Sequence, residues 1–189
     1  MSNTELKGKK LHRTERRIAI IQGAAAAFVQ YGYEATTLDD VTKSAGVSRA
    51  LLYRHFDTKQ DVYWAVLDNF TSTMRTQIDT KQERWANLTL ENLVKAAQID
   101  PNGFRLFFRH APREPDFQSY YDDIATKRLN FIEERLKPTI KNRKQRRFIA
   151  ELMQELVIGT LLIWVDNGSP NPKQMPKLLS DILDSVINN

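Results

Sequence analysis

The stretch GAAAAFVQYGYEATTLDDVTKSAGVSRALLYRHFDTKQDVY, residues 23–63, carries the stops and starts that decide the fold. Thr37-Leu-Asp-Asp40 has the form of a capping box, a hydroxyl for orphan N–H groups and carboxylates beside the positive end of a helix. It predicts a short helix through Ser44. Gly46 then breaks that helix, since glycine takes a positive φ without a Cβ penalty. Ser48 is a fresh N-cap for a third helix running to about His55, and Thr58-Lys-Gln-Asp61 repeats the capping pattern for a fourth helix reaching about Lys81. Two short helices around a tight turn make a helix-turn-helix.

Upstream, Ile18, Ile21, Ala25, Phe28 and Val29 recur at three- and four-residue spacing, which predicts one apolar face on a helix from Arg13 to Tyr31, stopped by Gly32. Against that face Leu38, Val41, Ala45, Val47, Leu52 and Phe56 can close a small core. This leaves Arg49, Ala50, Tyr53, Arg54 and His55 on the outside. Downstream, helices are predicted at about 89–98, 102–111, 116–136, 143–167 and 174–188, split by Asp100-Pro101, Pro112 to Pro115, Pro138 and Gly168 to Pro172. No strand pattern and no internal repeat is found. The expectation is an all-α chain of about nine helices: a flexible basic arm at 1–12, a helix-turn-helix domain at 13–60 continued by the fourth helix to about 81, and a helical body at 82–189.

Composition agrees with this class. The 189 residues are 41% hydrophobic, enough for a real core, and 7 Gly with 7 Pro are few for a protein built from β-turns. The net charge of +5 is uneven: residues 1–17 hold six Lys or Arg against two Glu and supply +4 of it. Lys7, Lys9, Lys10, Arg13, Arg16 and Arg17 suit a polyanion, because each cation near a phosphate releases condensed counterions; as a solvated tail they would serve solubility alone. With no Cys, disulfides and thiolate metal sites are excluded, in keeping with a reducing cytoplasm. The basic-then-apolar outline of Lys9 to Val29 superficially matches a secretory signal, but Gln22 interrupts it and an amphipathic helix uses the same residues better. Val157 to Val165 is too short for a bilayer, which takes about twenty residues. No membrane anchoring is expected.

Residues 23–63 closely resemble the DNA-binding domain of TetR-type regulators. The resemblance covers roughly the first third of the chain and implies that Thr37 contacts phosphate, that Arg49 and Ala50 lie beside the bases, that Tyr53 and His55 meet the backbone, and that Lys59 does so from the fourth helix. Ser48 and the turn residue Gly46 complete the set. Two positions depart from the usual pattern, Gly23 where Ala is common and Leu51 where a small residue is common; Leu51 either touches a thymine methyl or packs against the first helix.

The resemblance also implies subunit pairing through the last two helices. Leu152, Leu156, Gly159 and Ile163, with Leu179 and Leu183, supply apolar stripes for it, flanked by Leu162, Leu178, Ile182 and Val186. It implies an effector cavity as well, for which Phe104, Phe107, Phe108, Tyr120, Tyr121, Phe131 and Trp164 are candidates, although the same aromatics would serve equally as core. Arg105, Arg109 and His110 hint at an anionic ligand, or at a solvated face. The implied partners are double-stranded DNA with a near-palindromic operator, a second copy of the chain and a small-molecule effector, with no cofactor. An enzyme is the rival class, but His12, His55 and His110 fall in three separate elements and no nucleotide-binding glycine pattern occurs. A pure dimerising module would leave the Arg49 to Lys59 face without a purpose.

Overall fold

The computed structural model describes residues 3–76 and 90–187, with side chains from Arg13 to Arg75 and from Leu90 onward. The side chains of Lys7, Lys9, Lys10 and His12, and the predicted end of the fourth helix near Lys81, lie outside the described residues. All regular structure among the described residues is helical. Two compact units divide inside the fourth helix, the first ending at Asn69 and the second beginning at Phe70.

The first unit holds α1 (Asn3–Tyr31), α2 (Leu38–Ala45), α3 (Arg49–Tyr53) and the start of α4 (Lys59–Thr76). The backbone of α1 is already helical at Asn3, so residues 3–12 of the expected flexible arm continue that helix. Lys, Leu, Glu and Arg favour helix, no proline intervenes, and lengthening an existing helix adds one bond per residue fixed. The face that α1 buries is Ile20, Ile21, Ala24, Ala25, Ala27 and Phe28; Ile18 falls outside it and is exposed. Val41, Leu52, Phe56, Val62, Tyr63 and Val66 complete the core. The Tyr63 ring meets Phe28 and Tyr33 edge-on, each at 5.0 Å between centroids.

The second unit runs from the end of α4 through α5 (Leu90–Ile99), α6 (Pro101–Arg105), α7 (Pro115–Leu136), α8 (Arg143–Asp166) and α9 (Met175–Ile187). The helix predicted at 102–111 changes pitch midway: α6 widens into a π turn at Leu106–His110 and tightens into a 3-10 turn at Ala111–Arg113. Phe104, Phe107 and Phe108 are all buried there, stacked around Phe70 at centroid distances of 5.6 to 5.9 Å. A second core joins Leu129, Leu136, Ile140 and Ala150. One sequence expectation needs amending: α8 contains an apolar window of 18 residues, wider than Val157 to Val165 and sufficient in length to cross a bilayer. Ala150, Val157, Ile158, Leu161, Trp164 and Val165 of that helix are buried within the unit.

The tightest approach in the first unit is at Gly23, where a Cβ would stand 2.4 Å from the Ala45 Cα and 2.5 Å from its Cβ. Gly23→Ala should therefore destabilise this unit despite the better helix propensity of alanine. Overpacking costs typically 1–3 kcal/mol and propensity returns about 1, so a net loss of up to about 2 kcal/mol is expected. Thermal denaturation checks it; an unchanged or raised midpoint would show that α1 and α2 separate freely.

Candidate nucleic-acid interface and ligand cavity

The first unit displays α3 through three local devices. Thr37 caps α2: its hydroxyl accepts the Asp40 N–H at 3.2 Å while the Asp40 carboxylate accepts the Thr37 N–H at 3.0 Å and its O–H at 2.6 Å. These bonds hold the Asp40 carboxyl below its ordinary pKa. Gly46, at φ 64°, ends α2 in the left-handed conformation, and the Val47 N–H returns to the Thr42 carbonyl at 3.0 Å. Ser48 then opens α3 by accepting the Leu51 N–H at 3.2 Å. With α3 turned in this way Leu52 is buried, while Thr37, Ser48, Arg49, Ala50, Tyr53 and Arg54 share the exposed side and Leu51 is half-buried.

Arg49 is not free on this surface. Its guanidinium pairs through one Nη with the Asp39 carboxylate of α2, and both side chains remain largely exposed. Sequence reasoning placed Asp39 only as a carboxylate near a helix end. The pairing spans ten residues and two helices, so no spacing rule reveals it. His55 is half-buried next to Phe56, and burial, then Arg13, Arg17, Arg54 and Arg16, push its pKa down. The imidazole is therefore kept uncharged at neutral pH. Arg17 in turn lies 5.1 Å over the Phe56 ring.

Lys59 departs from the simple phosphate contact expected of it. Its ammonium donates to the carbonyls of Tyr33 and Glu34 at 2.7 and 3.0 Å and lies 4.6 Å over the Tyr33 ring. Two of its three N–H bonds are thus spent on pinning the α1–α2 connection to the start of α4, and one is left for an outside acceptor.

The second unit encloses a cavity of about 110 Å³ lined by Met74, Leu93, Ile124, Phe131, Ile132, Met153, Val157, Ile158 and neighbours, with Arg128 and Gln154 as its polar members. Of the aromatics expected to line a cavity, Phe131 lines this one. Phe104, Phe107 and Phe108 are packed into the core with Phe70, and Tyr121 lies 5.4 Å from Phe107. Tyr120 shares a 3.0 Å hydrogen bond with Thr71, and Trp164 donates to the Pro170 carbonyl at 2.7 Å. Arg105 and Arg109 do not await an anionic ligand: both clamp Asp166 at the end of α8, at 2.8 and 2.6 Å.

The outer side of α8 carries an apolar stripe. Leu152, Leu156 and Gly159 are half-buried, Ile163 and Phe148 are exposed, and on α9 Leu178 is 50% exposed. A Cβ at Gly159 would meet nothing within 4 Å. Leu179 and Leu183 leave the expected pairing set: Leu179 is 1% exposed within its own chain and Leu183 lines the cavity. The apolar face of α9 is wide, running from Leu178 through Leu179 to Leu183, so its periodicity could not say which residues serve the chain itself.

Residues 20–66 match the sequence profile of the bacterial regulatory proteins of the tetR family. The likeness to the tetR family lies in this segment. It is 36% identical over 112 residues to the HTH-type transcriptional activator FasR of Mycolicibacterium smegmatis, a match covering 55% of this chain and 50% of FasR. It is 42% identical over 50 residues to the IcaR negative transcriptional regulator of the icaADBC biofilm operon of Staphylococcus epidermidis, covering 26% of this chain and 27% of that one. The chain therefore spans half or less of the length of these relatives. A TetR-like transcriptional regulator from Rhodococcus sp. RHA1 shares the fold at a TM-score of 0.70 and 16% identity, over 89% of this chain and 93% of that one.

Where such a surface meets DNA, the pair would make Asp39 a positioning residue, since it holds one Nη of Arg49 and leaves the other guanidinium N–H groups for an outside acceptor. Asp39→Ala should lower affinity for the preferred DNA sequence and raise it for random DNA, as Arg49 swings free and a repelling carboxylate disappears. Competition gel shifts read both; an equal rise for both DNAs would reduce Asp39 to an electrostatic brake.

Proposed function

We propose that this chain is a sequence-specific DNA-binding transcription regulator that acts in the cytoplasm as a homodimer on a near-palindromic operator. The observation that carries the reading is the exposed strip Arg49, Ala50 and Tyr53 on a helix whose start is capped by Ser48 and whose guanidinium is held by Asp39. A recognition helix offers its N-terminal residues to base edges while its flanks hold phosphates. Tyr53, His55 and the remaining N–H of Lys59 fit the flanking role, and Thr37 would have to release Asp40 to join them. Occupancy of the operator represses the adjacent gene, and a small-molecule effector in the second unit's cavity releases it; among the relatives one is named as an activator and another as a negative regulator.

Selection from random DNA should return an inverted repeat with half-site centres one helical turn apart or a multiple of it. Arg49 can reach a guanine edge with two hydrogen bonds, so Arg49→Ala should cost about 1–3 kcal/mol per half-site and relax one base position. A loss equal on operator and random DNA would assign Arg49 to the backbone and pass base reading to Ala50 or Leu51.

The homodimer rests on the stripe of Leu152, Leu156, Gly159 and Ile163, where a monomer would leave large apolar side chains in water. Leu156→Asp should split the dimer, because a desolvated, unpaired carboxylate costs several kcal/mol. Light scattering should fall from twice 21.9 kDa to 21.9 kDa. A dimer that survives both Leu156→Asp and Ile163→Asp would move the interface elsewhere.

A further inference from the structure

Arg128 is the feature of the second unit that the fold leaves unexplained. Its side chain is buried to 9% exposure on α7, and it is the charged residue among the described lining of an otherwise apolar cavity. Burying a guanidinium removes its hydration, and the group stays protonated at any physiological pH. The compensation around it is partial. Nε donates to the Gln154 Oε1 at 3.0 Å, the guanidinium carbon lies 5.2 Å over the Phe108 ring, and Tyr121 is a hydrogen-bonding neighbour. The carboxylate acting on it, Glu155, belongs to an exposed residue of α8 and acts at long range. Burial pulls the Arg128 pKa down more than any other influence. Its Nη2 has no hydrogen-bond partner among the described residues.

A buried cationic donor with an open valence is normally paired, and here no carboxylate of the cavity wall pairs it. We propose that the cavity takes a small carboxylic acid as its carboxylate, with the anion on Arg128 and the apolar body against Leu93, Ile124, Phe131, Met153 and Val157. This rests on the effector reading above and names the ligand class for it. Gln154 supports the same end: its oxygen is used by Arg128, and its amide nitrogen carries two further donors. Cavity size limits the body. About 110 Å³ compares with roughly 150 Å³ for an apolar cavity that accepts benzene, which selects a short branched or single-ring acid and excludes a long acyl chain from full enclosure. The charge sets the discrimination, since a site built to pair a buried polar group rejects an analogue that leaves it unpaired.

The test uses the full-length dimer and two acids, isovalerate and benzoate, each against its uncharged amide and, for the ring, against benzylamine. Calorimetric titration should show each acid binding at least tenfold more tightly than its amide and no binding of the amine. Arg128→Met, of similar length and apolar, should erase the preference for the acid, and Arg128→Lys should keep part of it. If Arg128→Met does not fold, the acid and amide comparison on the unaltered protein decides. Equal affinity for acid and amide, or no acid binding at millimolar concentration, overturns the proposal. Gel shifts on the same samples separate the two readings: acid binding that depends on Arg128 but leaves operator affinity unchanged would keep the site and end the effector role.

Discussion

The first unit depends on a side chain that is missing. At Gly23 the backbone of α1 comes so close to Ala45 that not even a methyl group fits between them. That contact fixes α2 against α1 near its last turn, one residue before Gly46 reverses the chain. From there the caps at Ser48 and Thr58 leave little choice of path: α3 must start where it does, with Leu52 inward and Arg49 outward. Glycine gives up helix propensity at this point and permits the closer approach.

Around this anchor, polar side chains do most of their work on the protein itself. Thr37 bonds Asp40, Lys59 bonds two carbonyls of the α1–α2 connection, and Arg49 bonds Asp39. Lys59 and Arg49 keep donors to spare, whereas Thr37 gives both its O–H and its N–H to Asp40. A surface assembled in this way is pre-shaped before any polyanion arrives, and ordering of long side chains on association is correspondingly reduced.

What the sequence disclosed follows from distance along the chain. Thr37 with Asp40, Ser48 with the Leu51 N–H, and the left-handed Gly46 are rules of three residues or fewer, and all are visible in the letters. Asp39 with Arg49 spans ten residues, and Lys59 with Tyr33 spans twenty-six. Neither has a periodic signature. The aromatics at 104–108 stayed undecided for a different reason: helical periodicity marks what is buried, and a filled core and the wall of a hollow read alike. Arg128, set between Lys127 and Leu129, reads as one of many surface cations, and only the packing of α7 against α8 makes it an interior charge. The π turn at Leu106–His110 likewise has no letter that announces it.

Helix α8 is a wall with two finished sides. Met153, Gln154, Val157 and Ile158 face the cavity, while Leu152, Leu156, Gly159 and Ile163 form the outer stripe one helix diameter away, roughly 10 Å. No layer of protein stands between them to absorb a displacement. A helix cannot turn about its own axis on one side only, so a rotation that enlarges the hollow advances or withdraws every knob on the outer stripe by the same angle. Whatever is seated against that stripe is in mechanical register with the contents of the cavity.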